Sequence, residues 1–436
     1  MTGRYQAYDE YQPSGVDWLQ KVPKHWELTR IGKWFSERRE TVSDKDYVPL
    51  SVTMQGIVPQ LETAAKSDAG DNRKKVKLGD FVINSRSDRK GSSGVADSDG
   101  SVSLISIVLE PKDIESRFVH HLMRSQPFQE EFYRFGKGIV ADLWSTKYSD
   151  MKNIRLALPS REEQKTIARF LDHETARIDE LIAKQERLIE LLKEKRQAVI
   201  SHAVTKGLNP RAPMKGSEVE WLGDVPEHWR VAQLRYESKF IGGGTPSKEN
   251  EEFWSGDIPW VSPKDMKVDY IDTAKDKITL AAVAASSVKL LNAGHVLVVV
   301  RGMILLHSFP VALTTSCVTV NQDMKAISPS ERLNPEYLMY LLKGLRDAVL
   351  DLVDSSAHGT RVLRTELFER LEIPIPPVAE QLEIIQKIKV LIGSMDEASV
   401  RASRVVALLK ERCAALISAA VTGKIDIRNW TRDNAA

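Results

Sequence analysis

The chain has 436 residues, 42% hydrophobic and 28% charged, with a formal net charge of +2. This is an ordinary globular composition with length for two or three domains, and a near-neutral charge that does not announce nucleic acid but can hide a local basic surface. Two distant cysteines, Cys317 and Cys413, argue against a disulfide framework and suit a reducing cytosol. The opening MTGRYQAYDEYQPSG lacks the apolar region of a signal peptide, and the longest apolar run, HVLVVVRGMILL, is too short to span a bilayer and carries Arg301. A soluble, cytoplasmic protein is expected.

In chain order, the first marked stretch is WLQKVPKHWELTRIGKWF, residues 18–35. Pro23 fixes its turn, Trp26 suits burial, and His25 reads as structural. Residues 27–150 then read as mixed α/β, with short apolar strands such as FVIN and SLISIVL between Gly/Ser/Asp loops. Within them NSRSDRKGSSG (84–94) sets Arg86, Arg89 and Lys90 among serines and glycines. Such a loop lets side chains approach phosphates and base edges; a solubilising surface loop is the plainer alternative. LALPSREEQ (156–164) opens a helix, with Ser160 and Glu163 spaced as a capping box. That helix runs to about 206 with Leu171, Ile178, Gln185, Leu192 and Val199 at every seventh place, and Gly207 stops it.

The pattern then repeats. WLGDVPEHWRVAQLRYESKF (221–240) restates the opening 203 residues on, with Trp229 and His228 at the places of Trp26 and His25. IGGGTPSKENEEFWSGDIPWVSPKDM (241–266) suits a rigid recognition loop and equally a tight structural turn; no Gly-Lys-Ser/Thr follows to make it a phosphate loop. LNAGHVLVVVR (291–301) resembles KLGDFVINSR (77–86). IPIPPVAEQ (373–381) matches LALPSREEQ 217 residues on, and HAVTKGL (202–208) matches AAVTGKI (419–425) at the same offset. The second helix repeats the heptad with Ile388, Met395, Ala402, Leu409 and Leu416, and Gly423 ends it. The frames agree and the middles diverge.

A helix of ~43 residues spans roughly 65 Å and must bury its apolar stripe. The matched registers favour packing of the two copies on each other as an antiparallel coiled coil, with one globular domain at each end, over a partner helix from another protein. The expected seam is Leu171, Ile178, Leu181, Leu188, Leu192, Val199, Ile388, Met395, Leu409 and Leu416. No catalytic residue and no metal site is expected. NPEY (334–337) is near the Asp/Asn-Pro-Pro-Tyr/Phe motif of amino-methyltransferases, but Glu336 stands where proline is needed, and Asn334 with Pro335 reads as a helix start. Adjacent His120 and His121 point different ways on a helix and make no metal pair.

The duplicated W-L-G-x-V-P-E-H-W start, I-P-x-P-P-x-x-E-Q hinge, heptad helix and A-V-T-G-K-I end together resemble the specificity subunit of type I restriction–modification systems. GGGTPSKENEEFW followed by DIPWVSPKDM is similar to the opening of target recognition domains in that family. The first half departs, with Ser160 for the second proline and no GGTPS opening. The resemblance implies an α/β (α+β) fold with an internal pseudo-two-fold repeat. Its parts would be target recognition domain 1 (1–158), a central helix (159–207), target recognition domain 2 (208–375), a C-terminal helix (376–425) and a tail (426–436). Each domain would read half of a split double-stranded DNA site, and the coiled coil would fix the unread spacer. Two methyltransferase subunits would dock along the helices, and restriction/translocase subunits would join them. The chain itself would hold no cofactor; S-adenosylmethionine, ATP and Mg²⁺ would belong to those partners. The residues expected near DNA are Ser85, Arg86, Arg89, Lys90 and Lys147 in the first domain, and Thr245, Ser247, Lys248, Trp260, Lys264 and Arg301 in the second. The alternative from another class is a coiled-coil assembly scaffold without DNA specificity.

Overall fold

A computed structural model describes residues 5–60, 70–138, 144–355 and 359–431. Its dominant elements are two helices of 46 and 44 residues, Arg161–Lys206 and Val378–Val421. Both end at a glycine in left-handed conformation, Gly207 (φ 77°) and Gly423 (φ 71°), as a C-terminal stop requires. Ser160 caps the first helix, accepting from the Glu163 amide at 3.3 Å.

The chain packs into two compact units, residues 1–186 with 403–436, and residues 187–402. The sequence divides at the helix boundaries, whereas packing divides inside the helices. Each unit therefore holds one domain, the start of that domain's own long helix, and the end of the other half's helix.

In unit one a four-stranded antiparallel sheet runs in the order Ser93–Val95, Phe81–Asn84, Ser106–Pro111, Phe35–Glu37. The helices Ser116–Arg124 and Gln126–Arg134 pack into the same core, burying Phe118, Leu122, Phe128 and Phe132. In unit two a five-stranded sheet runs Ser238–Gly242, Met324–Pro329, Val296–Val299, Val311–Thr314, Tyr270–Ile271, the last pairing being parallel. The helix Pro335–Gly344 packs with it, and Asn334 caps that helix by accepting from the Glu336 and Tyr337 amides.

The strand after each Val-Pro-x-His-Trp pairs with the strand before each long helix. Glu27 faces Leu158 in unit one, and Arg230 faces Ile375 in unit two. Each domain is thus closed by its own entry and exit strands. Both helices then supply matching residues to the core. Ile167 and Leu171 join Ala420 and Val421 in unit one; Ile384 and Ile388 join Ala203 and Val204 in unit two. Each fully buried aliphatic side chain contributes about 1.5–3 kcal/mol. Ion pairs fix the direction. Glu186 meets Lys410 at 3.4 Å in unit one, while Leu416 lies deeper in the core shared with Leu171. Arg196 meets Asp396 at 3.5 Å in unit two. Within each unit the two segments run antiparallel.

The seam is narrower than the heptads predict. Leu171, Ile178, Ile388, Met395 and Leu416 are buried, while Leu192, Val199 and Leu409 are half-buried. Leu181 and Leu188 depart from expectation, each 41% exposed. A single neighbouring helix covers a thin strip, and a straight helix drifts about 20° per heptad from a 3.5-residue repeat. Leu181 and Leu188, three residues beyond the seam places Ile178 and Gln185, therefore turn to water.

Candidate nucleic-acid interface

Both units hang their loops on the same anchor. In unit one the Glu163 carboxylate lies 2.9 Å from His25 Nε2, and accepts from Trp26 Nε1 at 3.1 Å and from the Tyr8 hydroxyl at 2.7 Å. In unit two Glu380 lies 2.7 Å from His228 Nε2 and accepts from Trp229 Nε1 at 3.1 Å. Both tryptophans are fully buried. Burial, reinforced by the bond to Glu163, pushes the Tyr8 hydroxyl far above its ordinary range, so it remains a donor. The next residue does a second task. Gln164 accepts from the Glu115 amide at 3.0 Å and donates to Pro159 O at 2.9 Å. Gln381 accepts from the Asn334 amide and donates to Pro376 O, each at 2.8 Å. One Glu-Gln pair thus ties the domain entry, the domain helix and the long helix. A Cβ on Gly423 would lie 2.3 Å from Pro23 Cδ, and one on Gly207 3.2 Å from Trp229 Cζ2. Each helix end therefore closes against the other half's Pro-x-His-Trp.

On this frame the divergent loops are held firmly. In unit one the strand Phe81–Asn84 runs into Ser85, whose carbonyl accepts from the Thr146 amide at 2.9 Å, and Arg86 makes an antiparallel bridge to Ser145. Ser85, Arg86 and Lys147 are thereby brought together. Ser87–Arg89 forms a 3₁₀ turn, and Lys90 behind it pairs with Glu130 at 2.7 Å. Arg86, Arg89 and Lys147 are exposed, and Arg89 has a long 3.9 Å contact with Asp88. A cleft of about 660 Å³ beside the turn is lined by Ser87, Lys90, Tyr133 and Trp144. Burial pushes the Tyr133 hydroxyl up to about 12, which keeps it neutral.

In unit two Arg301 takes the place of Arg86. It follows the strand Val296–Val299 and bridges Val362, which lies 217 residues beyond Ser145, the offset of the long helices. A 3₁₀ turn, Met303–Leu306, follows. Separately, Thr245, Lys248, Trp260 and Lys264 line one cleft of about 560 Å³. Thr245 Oγ1 donates to Gln322 Oε1 across it. Gly243 is required there, because a Cβ would lie 1.8 Å from Asn321 O. Ser247 is exposed and its carbonyl accepts from Trp254 Nε1 at 3.0 Å. Lys248 and Lys264 are exposed, while Asp276 and Asp323 also line the cleft, so its charge is mixed. Arg301 lies outside the lining; its amide donates to Asp323 O at 3.3 Å.

Trp260 differs from its expected place at a DNA surface. It is 7% exposed, its Nε1 donates to Gly244 O at 2.9 Å, and its ring stands 5.0 Å from that of Trp254. It is a wall behind the glycine loop. The sequence reading missed Gln322, exposed in a polar turn between two strands, and Trp144, exposed beside the Arg86 bridge. Among the described residues no cluster of His, Cys, Asp and Glu could hold a metal ion, and no helix is long and apolar enough to cross a membrane.

Comparison with known proteins fits this duplicated architecture. Residues 226–398 match the family model of the type I restriction modification DNA specificity domain. The chain is 31% identical to the type I restriction enzyme EcoR124I/EcoR124II specificity subunit of Escherichia coli, over 64% of this chain and 65% of that relative. It is 22% identical to the type I restriction enzyme MjaVIII specificity subunit of Methanocaldococcus jannaschii, over 94% of this chain and 95% of the relative. In fold it is similar to a chain of a type I R-M system, solved for complex assembly and conformational transition, with a TM-score of 0.70 at 18% identity, covering 92% of this chain and 98% of that one. The HsdS subunit from Thermoanaerobacter tengcongensis gives 0.53 at 18% identity, covering 93% and 98%. Residues 226–398 thus match the type I specificity-domain model, and along nearly its whole length the chain is similar to relatives described as type I restriction enzyme specificity subunits.

Proposed function

We propose that this chain reads a two-part DNA sequence, one half through each unit, and directs a type I restriction–modification complex to it. The observation that carries this reading is the contrast between frame and loops. The anchors at Glu163 and Glu380 repeat the same His and Trp partners, whereas the segments they hold differ. A scaffold with no target has no use for such divergence; a pair of readers needs it. Arg86 and Arg301, at equivalent bridges, are the leading base contacts, since arginine bonds guanine in the major groove through two donors. Ser85, Arg89, Lys90, Lys147, Thr245, Ser247, Lys248 and Lys264 supply phosphate and sugar contacts around them, and Trp260 supports the loop.

In this reading the chain has no catalytic step of its own. It binds DNA adenine methyltransferase subunits, which carry S-adenosylmethionine, and ATP- and Mg²⁺-dependent restriction subunits join them in the cytoplasm. Methylome sequencing of a host expressing the neighbouring methyltransferase subunit, with and without this chain, tests the proposal. The expected result is a methylated adenine motif in two parts with a fixed gap, lost without the chain. If no motif depends on it, the DNA-reading function fails and an assembly scaffold takes its place.

A further inference from the structure

Building on the proposed DNA-reading function, we infer that the 3₁₀ turn Met303–Leu306 recognises thymine through its 5-methyl group, in the half-site read by unit two. In a 3₁₀ turn residues i and i+3 eclipse. Met303 and Leu306 therefore share one edge, 59% and 41% exposed, with Ile304 beside them. Leu305, 2% exposed, roots the turn in the core. Gly302, at φ 143° and ψ 160°, occupies backbone space that only glycine enters freely, and its amide donates to Arg361 O at 2.9 Å. Three large apolar side chains are thus held toward solvent by a fixed backbone.

The surroundings say what covers them. The backbones of Arg301 and Arg361 meet at the root of the turn, Arg301 bridging Val362 and Arg361 standing opposite Gly302. Neither has an ion-pair partner among the described residues, and Arg301 is exposed. An apolar edge that follows an exposed arginine matches the major groove, where the thymine methyl is the apolar feature among hydrogen-bonding base edges and phosphates. The corresponding turn of unit one, after Arg86, is Ser87-Asp88-Arg89 and is polar. One frame thus carries an apolar reader in one unit and a hydrogen-bonding reader in the other.

Methylome sequencing supplies the motif, and exchange of residues 230–365 assigns one half-site to unit two. A duplex with that motif is then compared with duplexes in which the thymines of one half-site are replaced by 2′-deoxyuridine, which removes only the methyl. The probe protein is the full chain with its methyltransferase subunit. Affinity is expected to fall about fourfold for each contacted methyl in the second half-site. The variant Met303→Ser/Ile304→Ser, at exposed positions that leave the melting temperature unchanged, is expected to bind both duplexes equally. The inference is overturned if that half-site contains no thymine, or if the unaltered chain binds thymine and deoxyuridine duplexes alike. It is also overturned if the variant loses the methyltransferase subunit yet keeps the thymine preference, which would make the turn a protein-docking surface. Loss of any chain-dependent motif would instead remove the DNA-reading function itself.

Discussion

Glu163 occupies the third place after a capping serine, yet its carboxylate does not turn back to the helix start. It gathers three donors from the chain's first 26 residues, more than 130 positions away in sequence, and is buried. Glu380 gathers two and is more open. Glu163→Gln presents an amide to those donors and is expected to destabilise unit one by about 1–3 kcal/mol, with a smaller loss for Glu380→Gln; urea unfolding of the two variants checks the order. The cap was legible because it is local. The carboxylate's real partners were not, because hydrogen-bond reach across a fold leaves no spacing signal. His120 shows the same limit. Burial, with the charge of Arg124, pushes it down to about 3 from an ordinary 6.5, and Arg124 donates to its Nε2 at 2.6 Å. The folded ring stays neutral where the unfolded ring takes a proton. Its share of stability is therefore full above about pH 6.5 and is lost progressively as pH falls toward 3. His120→Gln is expected to flatten that slope, read as urea midpoints between pH 7 and pH 4.

The long helices and their stops could be read almost to the residue, because periodicity, caps and glycines are all short-range signals. The width of the seam could not, since it depends on how many neighbours cover each face. Gly423 and Gly207 look equivalent in sequence but are not equally tight. Gly423→Ala combines a left-handed backbone with a clash on a proline ring, and is expected to cost at least about 2 kcal/mol, against about 1 for Gly207→Ala. A second difference lies where each domain helix meets its long helix. Arg117 pairs with Asp172 at 2.9 Å in unit one, while Glu336 pairs with Lys389 at 2.7 Å in unit two. The places correspond, two residues past Glu115 and Asn334 and eight past Gln164 and Gln381, but the signs are exchanged. Asp172→Lys should therefore destabilise unit one, and adding Arg117→Glu should recover roughly 0.5–1 kcal/mol in a double-mutant cycle.

At the scale of the molecule the repeat was the most legible feature, because it is written in closely similar words. What the loops touch was the least legible, since the two middles share a frame and almost no residues. Under the proposed DNA-reading function, exchange of residues 27–150 for those of a similar specificity subunit is expected to change one half of the methylated motif and leave the other intact. A further consequence follows from the contact between the Asp426 amide and Gln6 O at 2.7 Å. Residue 6 carried forward by 203 and residue 426 carried back by 217 both arrive at Asn209, in the unbroken connection of unit two. The Asp426–Gln6 contact in unit one thus stands where the repeat has continuous chain in unit two. A rearranged polypeptide that starts at Asn209, crosses from 431 to 5 through a short linker and finishes at Leu208 should reach the same circular dichroism spectrum and the same melting transition.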